Sequence, residues 1–213
     1  MSARLTLKKD RCIATFDPNG HRYLTKDGRS LISVTQAMGI FTEKVYRFIP
    51  REILKAAADR GTAVHLATEY EDQDNLDLDS CLPEWIPYIE AYKKFRAEIK
   101  AEILFTEQRL VHPKLFYAGA VDRVLEIDGD YWIVDLKTTG ELYEHVGIQL
   151  AAYAELLNQN LEHPVRLRRA ALQLKNDGSY VFREHTKADD WSAFLACLTL
   201  INWNRNHGNA ITY

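Results

Sequence analysis

The sequence contains little of what marks the more specialised classes of protein. Only three cysteines occur among 213 residues, at Cys12, Cys81 and Cys197. They lie far apart and form no Cys-x-x-Cys pair, which excludes a zinc-finger type of site and a disulfide framework. We therefore expect three free, buried thiols, because unpaired cysteine usually behaves as a small apolar residue.

Long apolar runs are also missing. No stretch approaches the ~20 consecutive apolar residues that a membrane-spanning helix requires. The first residues are polar and basic and lack the apolar segment of a secretory signal. These absences predict a cytoplasmic protein with no membrane partner.

A strong charge of one sign is the third absence. The formal net charge is −3, which excludes attraction of nucleic acid by bulk positive charge but allows a local basic groove. The apolar fraction of 46% and the charged fraction of 27% are ordinary for a globular protein. The length favours one domain over residues 1–213.

The hydrophobic periodicity predicts a chain of class α/β. Residues 11–33 indicate short strands with turns at Pro18-Asn19-Gly20 and Asp27-Gly28, followed by a short helix capped by Ser33 or Thr35. An acidic loop is expected over 72–79. Further helices are predicted over 51–71, 83–101, 144–158 and 189–206, and strands over 105–111, 118–127, 131–138, 167–175 and 179–184. This order predicts a central mixed β-sheet flanked by helices.

The most informative segment is a predicted hairpin. Asp128-Gly129 separates two apolar runs, and Asp-Gly in that setting is a strong signal for a two-residue turn. Counting outward from the turn places Asp122 directly opposite Asp135. Their Cβ atoms would lie ~4.5–5.5 Å apart on one face of the sheet.

Two carboxylates at that spacing repel each other by about 3 kcal/mol at an effective dielectric constant of ~20. A divalent cation between them removes the repulsion. Carboxylate oxygens suit Mg²⁺, which is typically bound by one or two carboxylates together with phosphate oxygens and water.

Lys137 lies two residues after Asp135 and so on the same face of the strand, while Trp132, Val134 and Leu136 are expected in the core. Two acids and an ammonium suit phosphodiester hydrolysis, in which a metal polarises the phosphate and the lysine orients water or offsets charge. The alternative is a surface salt bridge on a solvated strand, and a one-residue slip in register would separate the acids. Apolar residues on both faces favour the buried site.

The helix over 51–71 offers a third metal ligand. His65 would complete a site for a divalent metal as a neutral imidazole, or it is simply a hydrogen-bonded helical histidine. The small residues Gly61 and Ala63 would let this helix approach the sheet closely. Glu69, one turn after His65, either supports a metal ligand or is solvated.

The helix after the hairpin carries Gln149 and Tyr153 one turn apart. They would position a phosphate or the attacking water, or else they are a surface glutamine and a core tyrosine. Several basic residues are expected to contact a nucleic-acid backbone: Arg47, Arg51, Lys55, Arg166 and Arg168. Each of them, taken by itself, is more typical of a solvated face. Aromatic residues that would stack on bases if they are not core residues are Tyr46, Phe48, Phe116 and Tyr117.

Four motifs in one order resemble the RecB-like branch of the PD-(D/E)XK nucleases, especially its phage and bacterial exonucleases, and also the mitochondrial genome maintenance exonuclease. The motif core covers about 51–185. The motifs are Gly61-Thr-Ala-Val-His65, Gly119-Ala-Val-Asp122-Arg123, Asp135-Leu136-Lys137-Thr138-Thr139 and Gln149-Leu-Ala-Ala-Tyr153.

The resemblance implies a restriction-endonuclease-like core that binds Mg²⁺ or Mn²⁺. His65, Asp122, Asp135 and the Leu136 carbonyl would be the metal ligands. Lys137 would be the catalytic lysine, with Gln149 and Tyr153 supporting the site. The first acid follows a valine rather than a proline, which is common in this branch. The four cysteines of the iron–sulfur members are absent, so no iron–sulfur cluster is expected.

The implied function is a metal-dependent deoxyribonuclease, most simply an exonuclease acting on single strands or duplex ends in recombination, repair or phage DNA processing. Its setting would be the cytoplasm of a bacterium or a phage-infected host, and any helicase or recombination protein would be a separate chain. A structure-selective endonuclease of the same fold, a non-catalytic nucleic-acid-binding module and a structural metal protein remain alternatives.

Overall fold

A computed structural model describes residues 5–10, 14–17 and 22–208. The predicted turn Pro18-Asn19-Gly20 and Cys12 lie outside these residues. In the described part of the chain, no helix combines the length and apolarity needed to cross a bilayer.

In the described residues, one eight-stranded sheet forms the centre of the fold. Its order is β1-β2-β3-β5-β6-β7-β8, and β4 also pairs with β5. The β3–β5 and β6–β7 pairs are parallel and the others antiparallel, so the sheet is mixed as predicted. The strands are β1 Thr15–Asp17, β2 Arg22–Leu24, β3 Ser30–Ser33, β4 Glu102–Val111, β5 Tyr117–Ile127, β6 Asp130–Lys137, β7 Leu167–Leu174 and β8 Tyr180–Glu184.

Helices cover both faces of this sheet. They are α1 Val34–Ala37, α2 Gly39–Tyr46, α3 Arg51–Asp72, α4 Ile86–Ile99, α5 Val146–Asn160 and α6 Asp190–Asn206, with a 3₁₀ turn at Leu78–Ser80. One apolar cluster joins α5 and α6 to the sheet through Leu150, Phe194 and Ile133. A second joins α3 and α4 to the opposite face through residues such as Phe95 and Trp132. The predicted sheet flanked by helices is confirmed.

The hairpin turn sets the predicted register between β5 and β6. Asp128 and Gly129 have φ values of 51° and 84°, which is the paired left-handed conformation favoured in two-residue hairpin turns. Arg123 pairs with Val134, and the pairing continues to the turn. Asp122 and Asp135 follow one residue beyond the last pair, as expected.

The start of the helical region differs in part from the sequence expectation. Ser33, rather than Thr35, caps α1 and forms a reciprocal capping box with Gln36. The separate helix α2 was not predicted, since its apolar residues continue the pattern of α1. Gly61 lies near Thr138, but a Cβ at this position would meet Thr138 Oγ1 at 3.7 Å. That is an ordinary contact, so the close approach of α3 does not require glycine.

Two expectations about burial are wrong, those for Asp72 and Cys81, and the alternatives left open for Tyr117 are decided. Asp72 is not part of an acidic loop, because it is the last residue of α3 and its side chain is only 4% exposed. Cys81 is partly exposed, whereas Cys197 is buried as expected. Tyr117 is fully buried and its hydroxyl donates to the Ala152 carbonyl at 2.9 Å, so it is a core residue and presents no stacking surface.

A buried ionic cluster ties α3 and α4 to β5. The Arg123 side chain is 1% exposed and donates from Nε to Asp72 Oδ2 at 2.5 Å and from Nη2 to Thr68 Oγ1 at 3.0 Å. Asp72 also pairs with Arg96 and accepts a hydrogen bond from the Tyr92 hydroxyl at 2.6 Å. Every charge in the cluster has an opposite partner, which buried ions require.

Arg123→Met tests how much this cluster contributes to the free energy of unfolding. We expect a loss of about 3–5 kcal/mol in the free energy of unfolding, because the change leaves buried Asp72 with only part of its compensation. Urea denaturation measures this loss through the shift of the midpoint. Arg96→Met is the matched control and should cost less, since the Arg96 side chain is 32% exposed. Equal losses in the two variants would contradict the central place of Arg123.

Candidate active site

Three carboxylates form a row across neighbouring strands. Asp122 on β5 lies opposite Asp135 on β6. On the other side of β5, Thr106 pairs with Arg123 and Gln108 with Val121, which places Glu107 of β4 opposite Asp122. The carboxylate row therefore consists of Glu107, Asp122 and Asp135.

The row lies beside an interruption in one edge of β5. Ala118 pairs with both β3 and β4, while Arg123 pairs with both β4 and β6. Since β4 occupies one edge throughout, β3 and β6 share the other edge, and residues 119–122 have no ladder partner on that edge. The described part of the chain forms a groove of about 820 Å³ at this gap.

The groove collects every predicted catalytic and metal-binding residue, and also Glu69. Its lining includes His65, Glu69, Asp122, Asp135, Leu136, Lys137, Gln149 and Tyr153. These residues come from α3, β5, β6 and α5, which the sequence separates by more than 80 positions. The structure thus brings together the residues of all four motifs.

His65 reaches from α3 to the row. Its Nε2 lies 3.1 Å from the Leu136 carbonyl oxygen, and because a carbonyl can only accept, Nε2 is the donor. Nδ1 then faces Asp122 Oδ2 at 3.7 Å and Glu107 Oε1 at 3.6 Å. Burial alone would lower the pKa of His65, but attraction to the two carboxylates raises it to about 9.

Lys137 is held at the other end of the row. Its Nζ lies 2.6 Å from Asp135 Oδ2 and donates to Gln149 Oε1 at 3.2 Å. Gln149 Nε2 in turn donates to the Tyr153 hydroxyl at 3.2 Å. Burial raises the pKa of Asp135 although Lys137 acts against the rise. A hydrogen-bonded chain therefore links the ammonium to α5.

Asp122 is anchored directly to β6. The Leu136 backbone N–H donates to Asp122 Oδ2 at 2.7 Å. This bond crosses from β5 to β6 and fixes the carboxylate beside Asp135. The Leu136 backbone thus uses its N–H on Asp122 and its carbonyl on His65.

Glu107 is the site residue that sequence reasoning missed. It has φ 46°, a conformation uncommon outside glycine that redirects its side chain within the strand. Glu107 Oε1 is buried without a hydrogen-bond partner and lies 3.7 Å from Arg123 Nη1. Predicting Glu107 as a site residue would have required the β4–β5 register, and no tight turn in the sequence defines that register.

His65, Glu107 and Asp122 fit a divalent cation. One ligand atom from each lies within 4.8 Å of the other two. Two carboxylates and an imidazole are a donor set for Mg²⁺ or Mn²⁺, and the unpartnered Glu107 oxygen is an acceptor that such an ion would use. Asp135 and the Leu136 carbonyl, the other predicted ligands, lie beside this triad.

The predicted nucleic-acid contacts fall into two groups. Arg51 and Lys55 are exposed on α3, and exposed Arg47 stands just before it. Arg168 is instead paired with Asp130 at 2.9 Å and Glu184 at 2.7 Å and lies over the Trp132 ring. Neither Arg166 nor Arg168 lines the groove. Phe48 and Phe116 are exposed, at 87% and 56%, and half-buried Tyr46 ends α2.

Gly119 is a position where packing leaves no room. A Cβ at this residue would lie 2.8 Å from Tyr153 Cε1 and 3.2 Å from Val34 Cγ2. We expect Gly119→Ala to displace the Tyr153 ring and break its hydrogen bond with Gln149. The shift should appear in the tyrosine signals of an NMR spectrum, while Gly140→Ala, where a Cβ meets nothing within 4 Å, serves as control. An unmoved Tyr153 would contradict this packing.

This chain matches one family model and, distantly, several solved structures. The sequence model of the PD-(D/E)XK nuclease superfamily matches residues 39–207. An alkaline exonuclease (LHK-Exo) from Laribacter hongkongensis is 12% identical over 84% of this chain and 93% of that chain, with a TM-score of 0.33. The same enzyme in complex with dAMP gives 14% identity, the same coverage and a TM-score of 0.31. Likeness of this degree says nothing about activity.

No curated protein matches this chain significantly. The superfamily match, however, spans well over half of the 213 residues. It includes the segments that form the carboxylate row, His65 and Lys137. This chain belongs to the PD-(D/E)XK nuclease superfamily.

Proposed function

We propose that this chain is a divalent-metal-dependent deoxyribonuclease that hydrolyses phosphodiester bonds at the carboxylate row. The observation that carries the proposal is the meeting of Asp122, Asp135, His65 and Lys137 in one open groove. A structural ion pair would account for Lys137 and Asp135 alone. It would not account for a third carboxylate and an imidazole facing the same space.

The metal would be Mg²⁺ or Mn²⁺. His65, Glu107 and Asp122 would hold it, with Asp135 as a further ligand that the motif resemblance implies. The Leu136 carbonyl, which the resemblance also implies as a ligand, accepts from His65 Nε2 on the side of the ring away from Nδ1 and would orient His65 instead. When bound, such an ion offsets the charge that develops on the phosphate and activates water. His65 is oriented for this role by the Leu136 carbonyl, which fixes Nδ1 as the ligand atom.

Lys137 would contact the reacting phosphate. Its ammonium is fixed between Asp135 and Gln149, so that it needs little rearrangement as charge develops in the transition state. Gln149 and Tyr153 hold this position from α5. Arg123 lies beneath the row and limits the repulsion among its acids.

A DNA strand would run along α3. Arg51, Lys55, Ala58, Thr62 and His65 are spaced by four, three, four and three residues, so they share one helical face. Ala58, Thr62 and His65 line the groove, and Arg51 and Lys55 extend the same face beyond it. Among the described residues Lys55 pairs only with exposed Asp59, a contact worth ~0–1 kcal/mol, so its ammonium would be available to a phosphate.

We further propose an exonuclease that acts on single strands or on duplex ends. Support comes from the motif resemblance and from a groove lined by few basic residues, which suits a short contact with one strand. A structure-selective endonuclease uses the same chemistry and is separated by experiment. DNA repair, recombination or phage DNA processing would be the setting.

The first test compares linear and circular single-stranded DNA, each with Mg²⁺, Mn²⁺ or EDTA. We expect metal-dependent loss of the linear DNA only. Asp135→Asn and Lys137→Met should lower the rate by about 10²–10³-fold, the usual cost of losing a group that stabilises the transition state. Lys26→Met, an exposed lysine outside the groove, is the control for loss of charge.

Cleavage of the circle would retain the site and change the assignment to endonuclease. Binding of DNA without any cleavage would leave a non-catalytic module. Undiminished cleavage by both Asp135→Asn and Lys137→Met would place the chemistry elsewhere.

A separate prediction concerns Glu107. Glu107→Gln should weaken Mn²⁺ binding by at least about tenfold, because it replaces an anionic ligand atom with a neutral one at nearly constant shape. Isothermal titration calorimetry with Mn²⁺ and no DNA measures this directly. Glu69→Gln makes the same change in the same groove outside the triad and should have a smaller effect. If both variants bind Mn²⁺ like the wild type, Glu107 is not a ligand.

A further inference from the structure

Arg109 is a groove residue with an unusual electrostatic position. It lies on β4 two residues after Glu107, opposite Ala120, and lines the groove. Among the residues that the structure describes, four acidic side chains line the groove, from Glu69 and the carboxylate row. Against them stand two permanently cationic groups, those of Arg109 and Lys137.

The two cations differ in their ion pairs. Lys137 Nζ pairs with Asp135 Oδ2 at 2.6 Å. In the described part of the chain, Arg109 forms no ion pair with a carboxylate, and its side chain is exposed to solvent. A polyanionic strand entering this acidic groove would therefore meet one cation whose donors are still available.

Arg109 is supported by an aromatic ring instead of an acid. Its guanidinium carbon lies 5.0 Å from the centroid of the Phe16 ring. The centroids of the Phe16 ring and the buried Tyr23 ring lie 5.1 Å apart, so Phe16 is packed against β2. Stacking restricts the guanidinium while leaving its N–H groups free, and a planar fork of this kind binds phosphate oxygens in pairs.

The position relative to the row indicates which phosphate is bound. Two residues along a strand correspond to about 6.6 Å, which is comparable to one nucleotide step of an extended single strand. We propose that Arg109, supported by Phe16, binds the phosphate adjacent to the scissile one. This inference rests on the proposed nuclease function and adds a substrate subsite on the β1–β2 side of the groove.

The test uses two substrates that differ in their flanking phosphates. Oligothymidylate has them, whereas bis(p-nitrophenyl) phosphate has only the reacting phosphodiester. Arg109→Met should raise KM for oligothymidylate roughly tenfold, the effect of losing one charge-assisted hydrogen bond, and leave hydrolysis of the small substrate unchanged. Arg29→Met is the control, because Arg29 is exposed, paired with Asp27 and outside the groove.

A binding experiment makes the result independent of activity. Fluorescence anisotropy with labelled oligothymidylate and Ca²⁺ across a series of KCl concentrations gives the salt dependence of affinity. Loss of one phosphate contact should reduce the slope of log K against log salt by about 0.7. Phe16→Leu should weaken binding in the same direction but keep the slope, since it removes the support and retains the charge.

The outcomes separate the two proposals. Equal losses on both substrates would show that Arg109 affects the reaction at the scissile phosphodiester itself, which overturns the subsite. An unchanged KM and an unchanged salt slope would overturn it as well. Failure of the wild type to cleave either substrate, with binding that still depends on Arg109, would overturn the nuclease function and keep the phosphate contact.

Discussion

The repulsion among three carboxylates on adjacent strands is the constraint around which this fold is arranged. Each neighbouring pair in the row costs about 3 kcal/mol at ~5 Å and an effective dielectric constant of ~20, which is large against the 5–15 kcal/mol that separates folded from unfolded protein. Positive groups therefore meet the row from several sides. Arg123 approaches Glu107 at 3.7 Å, and Lys137 approaches Asp135 at 2.6 Å. The imidazole of His65 completes the set and leaves space for a divalent cation.

The opening to this row is a property of the sheet. Because β3 and β6 pair with different parts of the same edge of β5, residues 119–122 have no ladder partner along that edge. A continuous neighbouring strand would have closed the position of Asp122. Gly119 lies in this gap, and a Cβ there would meet the Tyr153 ring at 2.8 Å. Access to the carboxylates thus depends on the interruption of this sheet edge.

The sequence predicted the half of the site that a short turn determines. Asp128-Gly129 allows one hairpin register, so the opposition of Asp122 and Asp135 followed from counting. The β4–β5 connection through residues 112–116 has no such turn, and Phe116 adopts φ 53° without being glycine. The register that brings Glu107 beside Asp122 was therefore not readable from the sequence. Asp72 was misplaced for a related reason, because its acidic neighbours look solvated until Arg123 is known to be buried.

Asp122 and Arg123 show how one strand supplies both an acid and its compensation. Successive residues of a strand point to opposite faces, so the carboxylate enters the groove while the guanidinium enters the core beneath α3 and α4. The counter-charge acts on the row from behind, through a low-dielectric interior where it is little screened. It occupies no space that a substrate needs. A groove stabilised in this way needs few cations of its own.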